Sequence, residues 1–593
     1  MQNSNMKAPT VEDVNNEKSE VASWYAGKNV LITGATGFMG KVLVEKLLRS
    51  CPNIKRLYLI VRPKKGLTAE ARKQQYFKCV IFHKILDKNP DIINKVHVIK
   101  GDLLEDDLGI NIDQTKHLIT NIEIIFHCAA NVRFDQPLRP MVEMNVIGTL
   151  KLLKLAEKME KLKSFTHVST TYCQCNESVL EEHGYPAPQN PYEIIKMIKN
   201  LSDQSIAEIT PNDSKVNPTQ GIVILTFRRS IQSRKCNESV LEEHGYPAPQ
   251  NPYEIIKMIK NLSDQSIAEI TPKLLNGLPN TYAYSKALTE DLINNYEKKL
   301  PIIVVRPSIV TAALEEPLPG WIEGVNGPTG LMIGAARGVI RSMHCNPDYA
   351  STVIPVDKAI NGMIVAAYNR ALSERGNVEF CNLCGSNKGL ISWGESIETG
   401  KRLFYETPLS FALWYPDGSI KKNYYLHMIC VVFFHYLPAY FIDFFLLLFA
   451  RKPFLVRVQN KISTGLKLLQ YYTTKDWTFK NEIFRQQYNK LNRIDQHIFN
   501  MDVTYIHWEH YIRNYINGVR IYIMGESEAT LPQAKRNLRR LYILDRLTTY
   551  GFYAIIFWLL WTYVDTWMER SDEIIQNALQ KIYFTYQNGT FDL

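Results

Sequence analysis

From Lys28 onward, short apolar runs alternate with longer stretches whose apolar positions recur at helical spacing. KNVLITG, RLYLIVR, KVHVIKGD and IEIIFHCAA each read as a strand, and Phe38 to Arg49, between the first two, reads as a helix. Strands separated by helices need crossover connections, and crossovers give a parallel sheet covered on both faces. The pattern therefore predicts an α/β fold with a doubly wound, Rossmann-type parallel sheet.

Two later segments break the alternation. Tyr424 to Ala450 is apolar but interrupted by His427, His435, Pro438 and Asp443; these are costly in lipid and at home in an amphipathic, interfacial or tunnel-lining helix pair. Thr549 to Trp567 is cleaner and long enough to cross roughly 30 Å of hydrocarbon. Its terminal Trp and Tyr residues suit the headgroup zone. Arg536, Arg539, Arg540 and Arg546 precede it and only Arg570 follows soon after, which puts the preceding side in the cytosol. The expected organisation is a disordered tail over residues 1–24, a dinucleotide-binding domain over 25–385, a mostly helical domain over 386–545 carrying the apolar segment 424–450, and a transmembrane segment with tail over 546–593.

Inside the first domain, over 175–272, a block is duplicated: Cys175 to Pro211 recurs letter for letter from Cys236 to Pro272. Structural repeats usually come in three or more copies and diverge, because each occupies a different environment. This pair does neither, and reads as a duplicated coding block with Asn212 to Lys235 as spacer. Removing Cys175–Lys235 or Asn212–Pro272 leaves the same protein, so the copy that docks is chemically degenerate with its twin.

Composition narrows the partners. The net charge of +10 would suit nucleic acid, a membrane surface or anionic ligands. The basic residues gather beside the apolar segments, at Lys421–Lys422, Arg451–Lys452 and from Lys535 to Arg546, which favours membrane lipid and argues against nucleic acid. Ten cysteines without framework spacing look like reduced thiols. Cys381 and Cys384 form one CxxC with no second pair, so core positions are expected there and no metal site. An oligomer is possible but nothing indicates one.

The chemistry-bearing residues follow the strands. Thr33, Gly34, Thr36, Gly37, Phe38, Met39 and Gly40 span a strand-to-helix turn of the kind that receives a pyrophosphate. At the end of the second strand stands Arg62 where an NAD enzyme would place a carboxylate, and a guanidinium pairs with a 2′-phosphate, so NADPH is the expected cofactor. Asp102 and Leu103 fall where adenine would rest, and Ala129 and Ala130 where the cofactor must come close, with His127 beside them as a satisfied core histidine. Tyr282 and Lys286, four apart on a helix, share one face, and the ammonium is expected to lower the phenol's pKa. Before the duplicated block, Ser169 and Thr170 end a strand, pointing to opposite faces; Thr170 is the favoured hydroxyl to hold a substrate carbonyl.

These segments, with GDLLEDDLGI, HCAANVRFD, HVSTTYC, NTYAYSKALTE, VVRPSIV, EPLPGWIEGVNGPTG, IPVDKAINGMI and HYLPAYFIDFFL followed by RKP, resemble an alcohol-forming fatty acyl-CoA reductase of the insect type, an extended short-chain dehydrogenase, from Val30 to about Asp565. The resemblance implies NADPH, a long-chain fatty acyl-CoA substrate, reduction to fatty alcohol through a retained aldehyde, and a cytosol-facing catalytic domain on the endoplasmic reticulum or peroxisome. It carries Gly34, Gly37, Gly40, Tyr282, Lys286 and the Ser169/Thr170 hydroxyl onto this chain, and Pro307 of VVRPSIV joins the cofactor residues. An apolar channel should retain the aldehyde, with Tyr424–Ala450 as a candidate wall. The 61-residue excess between Thr170 and Tyr282 departs from the family's pattern. The alternatives are another extended reductase acting on a lipid or sterol, and an inactive cofactor-binding isoform disabled by the duplication.

Overall fold

A computed structural model of the chain describes residues 18–63, 67–175, 239–241, 248, 250–385 and 389–587. Its centre is a parallel sheet of seven strands, β1 (Asn29–Thr33), β2 (Arg56–Val61), β3 (Val96–Lys100), β4 (Ile124–His127), β5 (Ser164–Val168), β6 (Ile302–Pro307) and β7 (Glu379–Leu383), in spatial order β7-β6-β5-β4-β1-β2-β3. β1, β4, β5 and β6 are buried at every position, as strands covered on both faces must be. Alternation divides them between two cores: Val30, Ile32, Ile303 and Val305 pack on one face, Leu31, Ile302 and Val304 on the other. The strand order reverses between β1 and β4, and the crevice outside their carboxyl ends is where such sheets bind ligands.

The C-terminal part shares this core. Phe484, in the helix Glu482–Asn489, packs in the same cluster as Met363, and a Cβ on Gly362 would lie 2.6 Å from the Phe484 ring. Part of the expected tail is folded onto this body: Glu20–Tyr25 is a helix capped by Ser19, and Asp495 accepts the backbone N–H of Glu20 and Val21. Of the duplicated block, the second copy is docked. Its Ser239–Leu241 pairs in parallel with Trp477–Phe479, its helix Pro252–Asn261 buries Ile255, Ile256 and Ile259, and Arg139 caps that helix through the carbonyls of Ile259 and Leu262. The first copy, after Cys175, lies outside the described residues.

Among the described residues, two helices are long and apolar enough to cross a membrane, Tyr424–Leu448 and Glu528–Phe584. In the first, the polar interruptions turn inward. His435 Nε2 accepts the N–H groups of Arg341 and Ser342, His427 Nδ1 bonds Ser342 Oγ, and Asp443 accepts the N–H groups of Phe454, Leu455 and Val456. Tyr425, Phe433, Leu437, Phe441, Phe444 and Leu448 point outward and are exposed. The second helix is docked as far as Asp545, which accepts from Trp414 Nε1 at 2.6 Å and pairs with Arg341 at 3.1 Å; Leu547 and the apolar residues after it are exposed. The segment read as 549–567 is thus the middle of a much longer helix, because nothing in the sequence breaks it.

Candidate active site

The β1 turn is shaped by close approach. Gly34 has φ +71°, and a Cβ there would stand 2.6 Å from Ala129 N; a Cβ on Gly40 would stand 2.3 Å from Gly34 O. The helix Phe38–Ser50 starts at Gly37, which offers no side-chain cap, so its first N–H groups remain to meet an anion. Those two features fit a dinucleotide pyrophosphate. Phe38 stacks on Trp321, ring centroids 5.3 Å apart, which is how the PLPGW block reaches the cofactor turn. Arg62 is exposed just past β2 and makes no ion pair among the described residues. Asp102 accepts from Leu104 N, while Leu103 is buried and would touch a Cβ on Gly148 at 3.0 Å. Ala129 and Ala130 are half-buried past β4.

Thr33 has a structural task. Ala129 N–H donates to Thr33 Oγ1, Thr33 bonds His127 Nδ1 at 2.7 Å, and His127 Nε2 bonds Thr149 Oγ1 at 2.9 Å, with Thr149 donating onward to Asn145 O. Only the Nε2–H tautomer satisfies every member of that series. Burial, with Lys286 nearby, holds His127 down at about 3, so it is the satisfied core histidine that the sequence suggested.

Tyr282 and Lys286 stand on the helix Thr281–Asn294, capped by Asn280, at the carboxyl end of β5. Lys286 Nζ donates to Val168 O at 2.6 Å, and burial, opposed by the Glu290 carboxylate, brings it to about 8. Tyr282 lies beside Phe134, ring centroids 5.3 Å apart, and its hydroxyl makes no hydrogen bond among the described residues. The expectation of a phenol lowered by its lysine is corrected here: burial, then the Cys173 thiol, pushes the Tyr282 phenol up, because Lys286 spends its charge on a strand carbonyl. Ser169 Oγ is buried without a partner among the described residues, while Thr170 Oγ1 accepts Tyr172 N–H at 3.3 Å and keeps its own proton to donate. Both strand ends are tied to β6, Ser169 N to Val305 O and Thr171 N to Pro307 O.

Three residues that sequence reasoning did not single out hold this arrangement. Asn145 sits in a π-helical turn, Val142–Ile147, where its Nδ2 reaches Asn131 O and Ser285 Oγ and its Oδ1 takes Asn131 N–H; such turns gather at functional sites. Arg306 and Glu290, both fully buried, form a two-point ion pair at 3.0 and 2.6 Å that fastens β6 to the helix Thr281–Asn294. Their positions inside VVRPSIV and KALTED were the available signal. Cys381 and Cys384 are buried core residues, as expected.

A doubly wound sheet, a glycine turn built for pyrophosphate and a Tyr–Lys helix beside strand-end hydroxyls define a nicotinamide-dependent oxidoreductase of the extended short-chain type. A male sterility protein NAD-binding family model matches residues 32–363 and a second male sterility protein model, Sterile, matches 434–526. Fatty acyl-CoA reductase 1 of Xenopus laevis is 35% identical over 91% of this chain and 92% of its own length. The human protein of that name is 33% identical over the same shares, and fatty acyl-CoA reductase 2 of Bos taurus 33% over 92% and 93%. The chain belongs to the fatty acyl-CoA reductase family. In fold it is similar to the terminal reductase domain of the myxalamid biosynthetic pathway, at TM-score 0.50 and 15% identity over 85% of this chain and 92% of that one.

Proposed function

We propose that the chain reduces long-chain fatty acyl-CoA to fatty alcohol and CoA with NADPH, through an aldehyde kept in the site. The observation that carries this reading is the meeting of Tyr282, Lys286, Ser169 and Thr170 at the ends of β5 and β6, beside the Gly34–Gly40 turn. A bound NADPH would supply hydride to the thioester carbonyl, and a second NADPH, bound after the oxidised cofactor has left, would supply hydride to the aldehyde. The Tyr282 phenol, kept protonated by burial, donates to the oxygen that becomes negative. Thr170, the favoured hydroxyl, donates to the same oxygen, and donors fixed in advance are the main source of rate. Lys286 holds the nicotinamide ribose and carries its ammonium at neutral pH. Collapse of the resulting hemithioacetal releases CoA. The test is fatty alcohol measured by mass in extracts of expressing cells, beside the Tyr282→Phe variant.

NADPH over NADH rests on Arg62, whose exposed guanidinium suits a 2′-phosphate. Arg62→Glu is expected to raise the KM for NADPH about tenfold or more while changing that for NADH less than about threefold; equal changes for both cofactors would refute the assignment. Substrate and product being lipids, the outward faces of Tyr424–Leu448 and of the C-terminal helix belong in a membrane, with the catalytic domain in the cytosol on the endoplasmic reticulum or peroxisome.

The duplication does not remove the site, because the second copy supplies the docked elements. Deleting Cys175–Lys235 puts Cys236 in the place of Cys175 with the same residues following. Alcohol formation by the shortened chain is expected within about threefold of the full chain, since the docked Ser239–Leu241 and Pro252–Asn261 are retained in it. Activity that appears only after the deletion would mark the full chain as an inactive isoform.

A further inference from the structure

Beyond the sheet lies a cavity of about 190 Å³ between the helices Pro328–Ala336, Trp393–Glu406 and Trp508–Gly518. Leu331, Met332, Ile340, Met343, Phe404 and Ile512 supply much of its wall. Among the described residues, six of the seven hydroxyls that line it, all but that of Ser419, are hydrogen-bonded within the protein: Thr311 to Tyr511 at 2.7 Å, Tyr511 to Ala312 O at 2.8 Å, Tyr515 to Thr329 at 2.6 Å, Ser351 to Ile391 O at 2.8 Å, Ser342 to His427 Nδ1 at 2.8 Å and Ser396 to Ser351 at 3.4 Å. Its one charged lining residue, Lys401, is paired with Asp417 at 2.7 Å. Such a lining asks little that is polar of a ligand and favours a chain of methylenes.

Its position connects it to the chemistry. Thr311 lies four residues beyond Pro307, on the run leaving β6. Thr352, between the lining residues Ser351 and Val353, is hydrogen-bonded to Tyr172, two residues past Thr170. The wall that carries Ser342 and Met343 is clamped to His427 and His435, so the cavity stands beside the outward-facing apolar helix. No lining residue of this cavity comes from Tyr424–Ala450; that segment backs the wall that carries Ser342 and Met343.

We propose that this cavity receives the distal part of the acyl chain, and that the absence of a side chain at Gly400 sets the length it accepts. This deepens the proposed reduction of fatty acyl-CoA and rests on it. Gly400 is inside the helix Trp393–Glu406 and lines the cavity, and a Cβ there would meet only Ile512 Cγ2, at 4.0 Å. A larger side chain therefore extends into space without pushing the backbone.

The experiment uses the full chain in detergent-solubilised membranes, with stearoyl-CoA and lauroyl-CoA as substrates. Gly400→Leu is expected to lower kcat/KM for stearoyl-CoA relative to lauroyl-CoA about tenfold or more, since each methylene a pocket refuses counts for that much, with the KM for NADPH unchanged. Met332→Ala, which enlarges the wall, is expected to move the ratio the other way, and decides the matter if Gly400→Leu fails to fold. A wild-type enzyme that makes alcohol, with a ratio unmoved in the folded variants, overturns the cavity assignment alone. A wild-type chain that consumes no NADPH with either thioester overturns the proposed reaction and this inference with it.

Discussion

Tyr282→Phe is expected to lower fatty alcohol formation by about 10²- to 10⁴-fold, the usual contribution of a positioned proton donor, with folding unaffected. The hydroxyl makes no hydrogen bond among the described residues, so its removal leaves no protein group without a partner. The ring and its contact with Phe134 remain. Thermal unfolding and NADPH binding, measured beside alcohol production, separate lost chemistry from lost structure. Equal alcohol from both proteins would remove Tyr282 from the mechanism. Thr170→Ala and Ser169→Ala, compared in the same assay, apportion the oxyanion contact between a hydroxyl that accepts from Tyr172 N–H and one left without a partner.

Gly40→Ala should weaken NADPH binding about 100-fold, close to 2.8 kcal/mol, and lower stability by roughly 1–3 kcal/mol. Gly40 is helical, so the added methyl tests close approach without any strain in φ. Its Cβ would lie 2.3 Å from Gly34 O and 2.7 Å from Ala35 Cα, both backbone atoms of the pyrophosphate turn, and one of the two segments must move. Gly37→Ala provides the graded comparison, since its Cβ would lie 3.3 Å from Gly34 O and a small shift absorbs that. Nucleotide fluorescence titration and thermal unfolding read both effects. Unchanged affinity in Gly40→Ala would detach the turn from cofactor binding.

Much of the site was legible in the sequence because its parts are short-range. The glycine spacing from Gly34 to Gly40 is read within one turn and one helix, and Tyr282 and Lys286 within one helical turn. Their surroundings were not. Whether Lys286 lowers the phenol depends on where its ammonium points, and it points to Val168 O at the end of β5. Asn145 looked like one asparagine among many until the fold brought Asn131 and Ser285 to it.

The alternation of apolar runs and helical spacing by itself determined the strands, the class of sheet and the cofactor turn, since those follow from a chain's periodicity and from residues that are neighbours in sequence. Tertiary structure alone decided that His427, His435 and Asp443 turn inward to satisfy backbone N–H groups, leaving an unbroken apolar face outside. It also docked the second of two identical blocks, through Ser239–Leu241 and Pro252–Asn261, and opened a cavity walled by segments from Thr311 to Tyr515. The reason is common to all three: each depends on partners far apart in the chain, and burial and hydrogen-bond satisfaction are properties of the assembled neighbourhood.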